Sequence, residues 1–254
     1  MARFLLVHGA MGGAWVWERV ISGLEAAGHE ARAIDLPGSG PAHPADPTPL
    51  AEITLYRYAD AVSDALDDDG EATLLVGHSM GGMVITQAAS QVAGGSPKRL
   101  AGLIYVTAFL PEPGQSLLDI TRLPEAAGDS VQANIVVAGD PPVATMPPEA
   151  ALAALYHCST EEQIAWAMPQ RASQPVIPFT QPFTPAPDTA AFHALPRAYV
   201  TCLQDRAIKP ALQRRMFTAA GADPVIEIDT DHSPWLSAAE ELVAALDRIA
   251  GEFA

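Results

Sequence analysis

Thr73-Leu74-Leu75-Val76-Gly77-His78-Ser79-Met80-Gly81-Gly82, followed by a helix-like run over 83–93, is the stretch on which the reading of this chain turns. The apolar run ending at Val76 predicts a buried strand. The run after Gly82 predicts a helix. Gly-x-Ser-x-Gly between a strand and a helix is the pattern of a nucleophile elbow, a cramped turn that lifts a serine hydroxyl above the end of a sheet. Side chains at the flanking positions would collide in such a turn, which accounts for Gly77 and Gly81. The helix N-terminus behind Ser79 offers backbone N–H groups and a positive dipole end to developing negative charge.

The same alternation extends in both directions. Phe4-Leu5-Leu6-Val7, Ala31-Arg32-Ala33-Ile34, Leu103-Ile104-Tyr105-Val106, Ala198-Tyr199-Val200-Thr201 and Val225-Ile226-Glu227-Ile228 read as strands. Most are nearly continuous apolar runs, as parallel strands covered on both faces require. Between them Trp17, Val20, Ile21 and Leu24 recur at helical spacing, as do Leu55, Tyr58, Val62, Ala65 and Leu66. Leu242, Val243, Leu246 and Ile249 repeat the pattern near the C-terminus. The fold class is therefore α/β, a doubly wound, mostly parallel sheet. Residues 111–196 break the rhythm, holding 14 of the 23 prolines yet also helical stretches over 150–156 and 161–168. This segment is expected to be a helical lid inserted between core strands, with 1–110 and 197–254 forming the core. A second proline-rich piece, 37–49, is expected to be a long loop.

A serine nucleophile needs a base and an orienter, and on this scaffold the chain order is serine, acid, histidine, each past the end of a strand. His157 and His193 fall in the lid. Only His232 follows a core strand, so it is the expected base. The strand over 198–203 runs into Asp205, the first choice of acid, with Glu112 after the 103–106 strand as the second. Asp229 and Asp231 stand too near His232 in sequence to reach its far nitrogen. The expected oxyanion donors are the backbone N–H groups of Ala10, in the glycine-rich loop His8-Gly9-Ala10-Met11-Gly12-Gly13, and of Met80. That loop, with Asp35 at the next strand end, also imitates a dinucleotide site. Yet the glycines do not fit Gly-x-Gly-x-x-Gly, and neither lysine, Lys98 or Lys209, has Tyr four residues before it. Asp67-Asp68-Asp69 reads as a solvated helix end, His8 and His78 as packing or loop-fixing residues, Cys202 as a small buried residue. Trp15 and Trp17 read as helix-start packing.

The 254 residues carry 14 Lys+Arg against 30 Asp+Glu, a net charge of −16. Such a surface repels phosphate backbones and anionic lipid, so neither nucleic acid nor membrane is an expected partner. The same field opposes a carboxylate-bearing substrate, unless a local Arg such as Arg171 or Arg206 clamps it inside the pocket. In the lid, Leu152, Leu155, Trp166, Met168, Phe179 and Phe183 supply apolar surface to close over a small, neutral substrate. Two cysteines, Cys158 and Cys202, make no disulfide framework or zinc spacing, and no cofactor or metal is expected. With no long apolar run, and only four apolar residues before His8, the expected location is the cytoplasm. Nothing in the sequence sets an oligomeric state. Two lysines beside twelve arginines, with abundant alanine, point to a GC-rich bacterial genome.

Together these residues resemble the α/β-hydrolase fold and, more narrowly, the plant methylesterase and hydroxynitrile lyase family with its bacterial esterase relatives. Phe4–Ala10 with Gly13, Trp15 and Trp17 is similar to that family's opening. Leu24-Glu25-Ala26-Ala27-Gly28-His29, Asp35-Leu36 and Ala108-Phe109-Leu110-Pro111 continue the likeness. So do Leu155-Tyr156-His157-Cys158-Ser159, Glu162, Thr201-Cys202 and Asp231-His232. The resemblance implies a cofactor-free serine hydrolase of small esters with a lid, and it carries the family's triad onto Ser79, Asp205 and His232. The family's lyases have Lys after the catalytic His, Thr in the oxyanion loop and Glu before the nucleophile. Here Ser233, Ala10 and His78 stand at those places, which favours the esterase branch. The expected function is cleavage of a small, largely apolar carboxylic ester through an acyl-enzyme. The alternatives are a lyase, cyclase or perhydrolase on the same scaffold, or a ligand-binding protein with a nearly silent triad.

Overall fold

A computed structural model describes residues 1–39, 48–67, 69–93, 99–187 and 190–253. Six parallel strands form the central sheet: β1 (Arg3–Val7), β2 (Glu30–Ile34), β3 (Ala72–His78), β4 (Arg99–Val106), β8 (Arg197–Cys202) and β9 (Val225–Ile228), in the order β2-β1-β3-β4-β8-β9. The apolar runs explain the interior of this sheet. Phe4–Val7, Leu74–Val76 and Leu103–Val106 are all buried, whereas edge strand β2 is at best half-buried, which is why it keeps Glu30 and Arg32. Helices α1 (Glu18–Ala26), α2 (Leu55–Ala65), α3 (Gly81–Ala93), α9 (Pro210–Ala220) and α11 (Ala239–Glu252) flank the sheet. Gly23 lets α1 approach α11, where a Cβ would stand 2.6 Å from Val243. Asp67 and Asp69, past the end of α2, are not merely solvated: Asp69 pairs with Arg3 at 2.9 Å and Asp67 with Arg32 at 2.8 Å. Asp68 and residues 40–47 of the proline-rich loop lie outside the described residues.

Between β4 and β8 the chain leaves the sheet. This stretch holds α4 (Leu117–Thr121), α5 (Pro148–Leu155), α6 (Glu161–Ala167), α7 (Ile177–Thr180) and α8 (Ala190–Ala194). It also holds a small antiparallel sheet of β5 (Val136–Ala138), β6 (Val143–Thr145) and β7 (Gln174–Pro175). The expectation of a helical insertion did not include that sheet, because its strands are only two or three residues long and β5 is exposed. Short α10 (Pro234–Ser237) completes the chain before α11.

Strand register brings the loops together. Val7 pairs with Gly77, His78 with Val106, Val106 with Val200, and Cys202 with Ile228. The carboxyl ends of five strands therefore lie side by side, and the loops beyond them share one rim, the usual place for a site on an open α/β sheet. At its centre Ser79 adopts φ 54°, a left-handed conformation that costs a non-glycine residue about 1–3 kcal/mol. Its surroundings leave no room to relax. A Cβ on Gly77 would meet the Gly81 carbonyl oxygen at 2.6 Å, and one on Gly81 the Val7 oxygen at 2.6 Å. Overpacking against backbone cannot be relieved by a rotamer change, so Gly77→Ala is expected to destabilise the fold by at least about 2 kcal/mol in urea unfolding. A loss under about 0.5 kcal/mol would contradict this account of the turn.

Candidate active site

Ser79 follows β3, and the turn that holds it is locked from both sides. Its N–H donates to Val106 O at 3.4 Å, and its carbonyl accepts from Gly82 N and Phe109 N at 3.1 and 3.0 Å. The hydroxyl is thereby aimed at His232, whose Nε2 lies 2.9 Å from Ser79 Oγ. On the other side of the ring, Nδ1 lies 2.7 Å from Asp205 Oδ2. With a proton on Nδ1 donated to the carboxylate, Nε2 is left as an acceptor for the serine hydroxyl. The structure thus brings together Ser79, Asp205 and His232 from the ends of three strands. Glu112 is not part of the group; it is exposed, and its backbone N–H bonds Gln115.

Asp205 is 2 % exposed, and a buried carboxylate must be met by donors. Its Oδ1 accepts from Ala207 N at 2.7 Å and Ile208 N at 2.9 Å. Its Oδ2 accepts from Thr107 Oγ1, His232 Nδ1 and Gln213 Nε2. Thr107 and Gln213 went unnoticed in the sequence. Thr107, just past β4, has φ 37°, a signal that only the backbone reveals. Gln213, one helical turn into α9, also takes Thr201 Oγ1 and Cys202 N on its amide oxygen.

His8 and His78 act as struts. His8 Nδ1 lies 2.7 Å from Gly9 O, while its Nε2 accepts from Leu36 N, fixing the loop after β1. His78 donates Nε2–H to the His232 carbonyl at 2.8 Å. Burial, followed by the adjoining His232 charge, pushes the His78 pKa well down, so it stays neutral. Asp231 turns away from the imidazole. It accepts from Cys158 N at 2.7 Å, Ser233 N at 3.0 Å and Ser237 Oγ at 2.9 Å, tying the insertion to the His232 loop.

Above Ser79 lies a cavity of about 90 Å³ that also touches Ala10, Met80 and His232. Among the described residues, neither the Ala10 nor the Met80 N–H donates to a protein acceptor. A Cβ on Gly9 would stand 2.7 Å from Ser79 Cβ, so only glycine lets this loop pass so close. The insertion contributes Leu155 and Phe179 to the wall; Leu152, Trp166, Met168 and Phe183 do not line it. Trp15 does, which goes beyond the packing role read from sequence, while Trp17 is fully buried against His78. Arg171 reaches the cavity. Arg206 instead donates to Ala153 O. Asp129, missed in the sequence, lines the cavity with Oδ1 held by Val131 N and Gln132 N. Among the described residues no cluster of His, Cys, Asp and Glu is arranged to hold a metal, and no helix is long and apolar enough to cross a membrane.

Burial of His232 works against its charged form, but the Asp205 charge and hydrogen bond, with the charges of Asp231 and Asp129, outweigh it and raise the pKa above 6.5. A raised histidine pKa stabilises the fold fully below the unfolded value near 6.5, and that contribution is lost as pH rises through the folded value. Imidazole NMR is expected to give a His232 midpoint above 6.5, moving down in Asp205→Asn. A wild-type midpoint at or below 6.5 would contradict the electrostatic account.

Comparison with known proteins places this geometry in context. The model of the alpha/beta hydrolase family matches residues 4–245. Methylesterase 7 of Arabidopsis thaliana is 33 % identical over 267 aligned positions, which span 99 % of this chain and 97 % of that one. The alpha-hydroxynitrile lyase of Arabidopsis thaliana is 29 % identical, covering 98 % of this chain and 97 % of its own. The crystal structure of a pyrethroid hydrolase from Sphingobium faniae superposes with a TM-score of 0.82 at 25 % identity, over 98 % of this chain and 97 % of that one.

Proposed function

The chain belongs to the alpha/beta hydrolase family, in the group that holds plant methylesterases and hydroxynitrile lyases, and from that premise we propose that it cleaves a small, largely apolar carboxylic ester through an acyl-enzyme on Ser79. The observation that carries this reading is the unbroken chain Ser79 Oγ–His232–Asp205, with contacts of 2.9 and 2.7 Å, at the floor of a small cavity.

His232 Nε2 takes the hydroxyl proton as Ser79 Oγ attacks the ester carbonyl. Asp205, held by its other donors, keeps the ring oriented and stabilises the imidazolium that forms. The carbonyl oxygen, now negative, is met by the N–H groups of Ala10 and Met80 and by the N-terminal end of α3. His232 then returns the proton to the departing alcohol. In the second half a water gives its proton to Nε2 and attacks the acyl carbonyl, releasing the acid and restoring the serine. These steps need only the protein's own groups and water. Residues 111–196 act as the lid, with Leu155 and Phe179 closing apolar surface over the ester and keeping bulk water from the oxyanion.

Cyanohydrin cleavage is the rival on this scaffold. Ser233, directly after His232, is buried and spends its N–H on Asp231, so a hydroxyl stands where the lyases have a cation for the departing cyanide. Ala10 and His78 depart from the lyase pattern as well.

Purified protein is expected to hydrolyse short neutral aryl esters. Ser79→Ala and His232→Ala should each lower kcat by roughly 10⁴-fold or more, and Asp205→Asn by a comparable factor, with circular dichroism unchanged. Wild-type rates in Ser79→Ala would overturn the hydrolase reading. Cyanide release from mandelonitrile outpacing ester hydrolysis would replace it with the lyase.

A further inference from the structure

Arg171 is set against the cavity by the way the insertion grips the loop after β1. Ala172 N donates to Met11 O at 3.1 Å, and Gln174 Oε1 accepts from Met11 N at 3.3 Å. Gln174 is itself fixed, donating Nε2–H to Tyr58 Oη at 2.8 Å. Met11, at φ 61°, is the residue next to Ala10. The Arg171 guanidinium is therefore anchored one residue from a proposed oxyanion donor.

What the guanidinium touches is unusual for so acidic a chain. Its side chain makes one hydrogen bond among the described residues, Nη2 to Met11 Sδ at 3.3 Å, and a thioether is a weak acceptor. Other arginines find oxygen: Arg3, Arg32, Arg215 and Arg248 reach carboxylates, and Arg197 and Arg206 reach carbonyls. Among the described residues no carboxylate lies within ion-pair distance of Arg171. Burial draws its pKa down, and Tyr156 is the neighbouring titratable group that acts against that shift. Asp129, the carboxylate of the same cavity, is held by Val131 N and Gln132 N, and the charges acting on it are those of His232 and Asp205.

Tyr156 is the natural companion. It is 4 % exposed, lines the cavity, and packs edge-on against Trp235 with centroids 6.2 Å apart. Burial pushes its pKa up to about 12, so the hydroxyl remains a neutral donor, and no protein acceptor among the described residues takes its proton. Half-buried Arg171 and buried Tyr156 thus line the same cavity as two donors, one of them charged and both short of protein acceptors, and are placed to meet an acceptor that a ligand brings.

We propose that Arg171 and Tyr156 form a subsite for a carboxylate borne by the substrate, so that the preferred ester is a half-ester, apolar between an ester at Ser79 and an acid at Arg171. The inference rests on the hydrolase reading for its choice of substrate. The planar guanidinium fork suits bidentate capture of a carboxylate. The negative exterior slows the approach of such a substrate at low salt, and the subsite acts after entry, where salt screens little.

The test compares kcat/KM for monomethyl glutarate, dimethyl glutarate and methyl butanoate, at low and high salt, in wild type, Arg171→Gln, Arg171→Lys and Tyr156→Phe. The expected result is a preference for the half-ester over both neutral esters that persists at high salt. Its ratio should fall by about tenfold or more in Arg171→Gln, recover in part in Arg171→Lys, and fall several-fold in Tyr156→Phe. A ratio unchanged by Arg171→Gln, or a wild type that favours the neutral esters at both salts, would overturn the subsite. A preference for dimethyl glutarate would mark a site for neutral acceptors and would also overturn it. Calorimetric titration of the same three esters into Ser79→Ala protein decides the matter independently of turnover. Half-ester binding about tenfold tighter than that of the neutral esters, lost in Ser79→Ala/Arg171→Gln, supports the subsite even if no ester is hydrolysed; equal binding of all three overturns it. Absence of hydrolysis in wild type would by itself count against the hydrolase reading alone.

Discussion

The left-handed turn at Ser79 is the constraint on which the rest depends. A residue with a Cβ is held at φ 54° because backbone presses on it from every side. The β1 loop passes at Gly9, α3 begins at Gly81, and at Gly82 an added Cβ would stand only 2.1 Å from Phe109 O. Each approach is possible only because the residue making it carries no side chain. The sheet's parallel register makes the crowding inevitable, since Val7 and Val106 both end beside β3. The strain at one residue is thereby sustained by the packing of three loops, and the hydroxyl has one direction in which to point.

The same economy of space shapes the electrostatics. Asp205 is buried and satisfied by donors from the loop after β4, from α9 and from its own loop, so its charge acts on His232 with little solvent to screen it. His78 and Asp231 hold the His232 segment from either side, one through a carbonyl and one through Ser233 N. Asp231 also reaches Cys158, which makes the insertion a structural partner of the histidine loop. Packing, charge and access to the cavity are thus settled by the same few loops.

How much of this could be read from the sequence follows from what each feature depends on. The apolar runs at 4–7, 74–76 and 103–106 announced central strands because burial on both faces demands them. The glycines around Ser79 announced the turn because nothing else fits there. Residues whose roles depend on tertiary contact left no such mark. Thr107 and Gln213 are ordinary polar residues until the fold aims them at Asp205. Asp129 and Tyr156 sit in the proline-rich segment, where no periodicity fixes direction. Arg171 stands out in the sequence by its charge alone, beside Arg206, and only the fold separates the two; the β5–β7 sheet is too short to show a period of two. The Asp67 and Asp69 pairs with Arg3 and Arg32 join positions distant in sequence, which charge counting alone cannot match.

The central claim is that this one strained serine, activated through His232, is the nucleophile. Treating the protein with an alkyl fluorophosphonate and mapping the adduct by mass spectrometry addresses it most directly. The account expects about one phosphonyl group per chain, on Ser79 and no other serine, with labelling slowed by orders of magnitude in His232→Ala. Stoichiometric labelling of a different residue, or labelling of Ser79 at the same rate without His232, would contradict it.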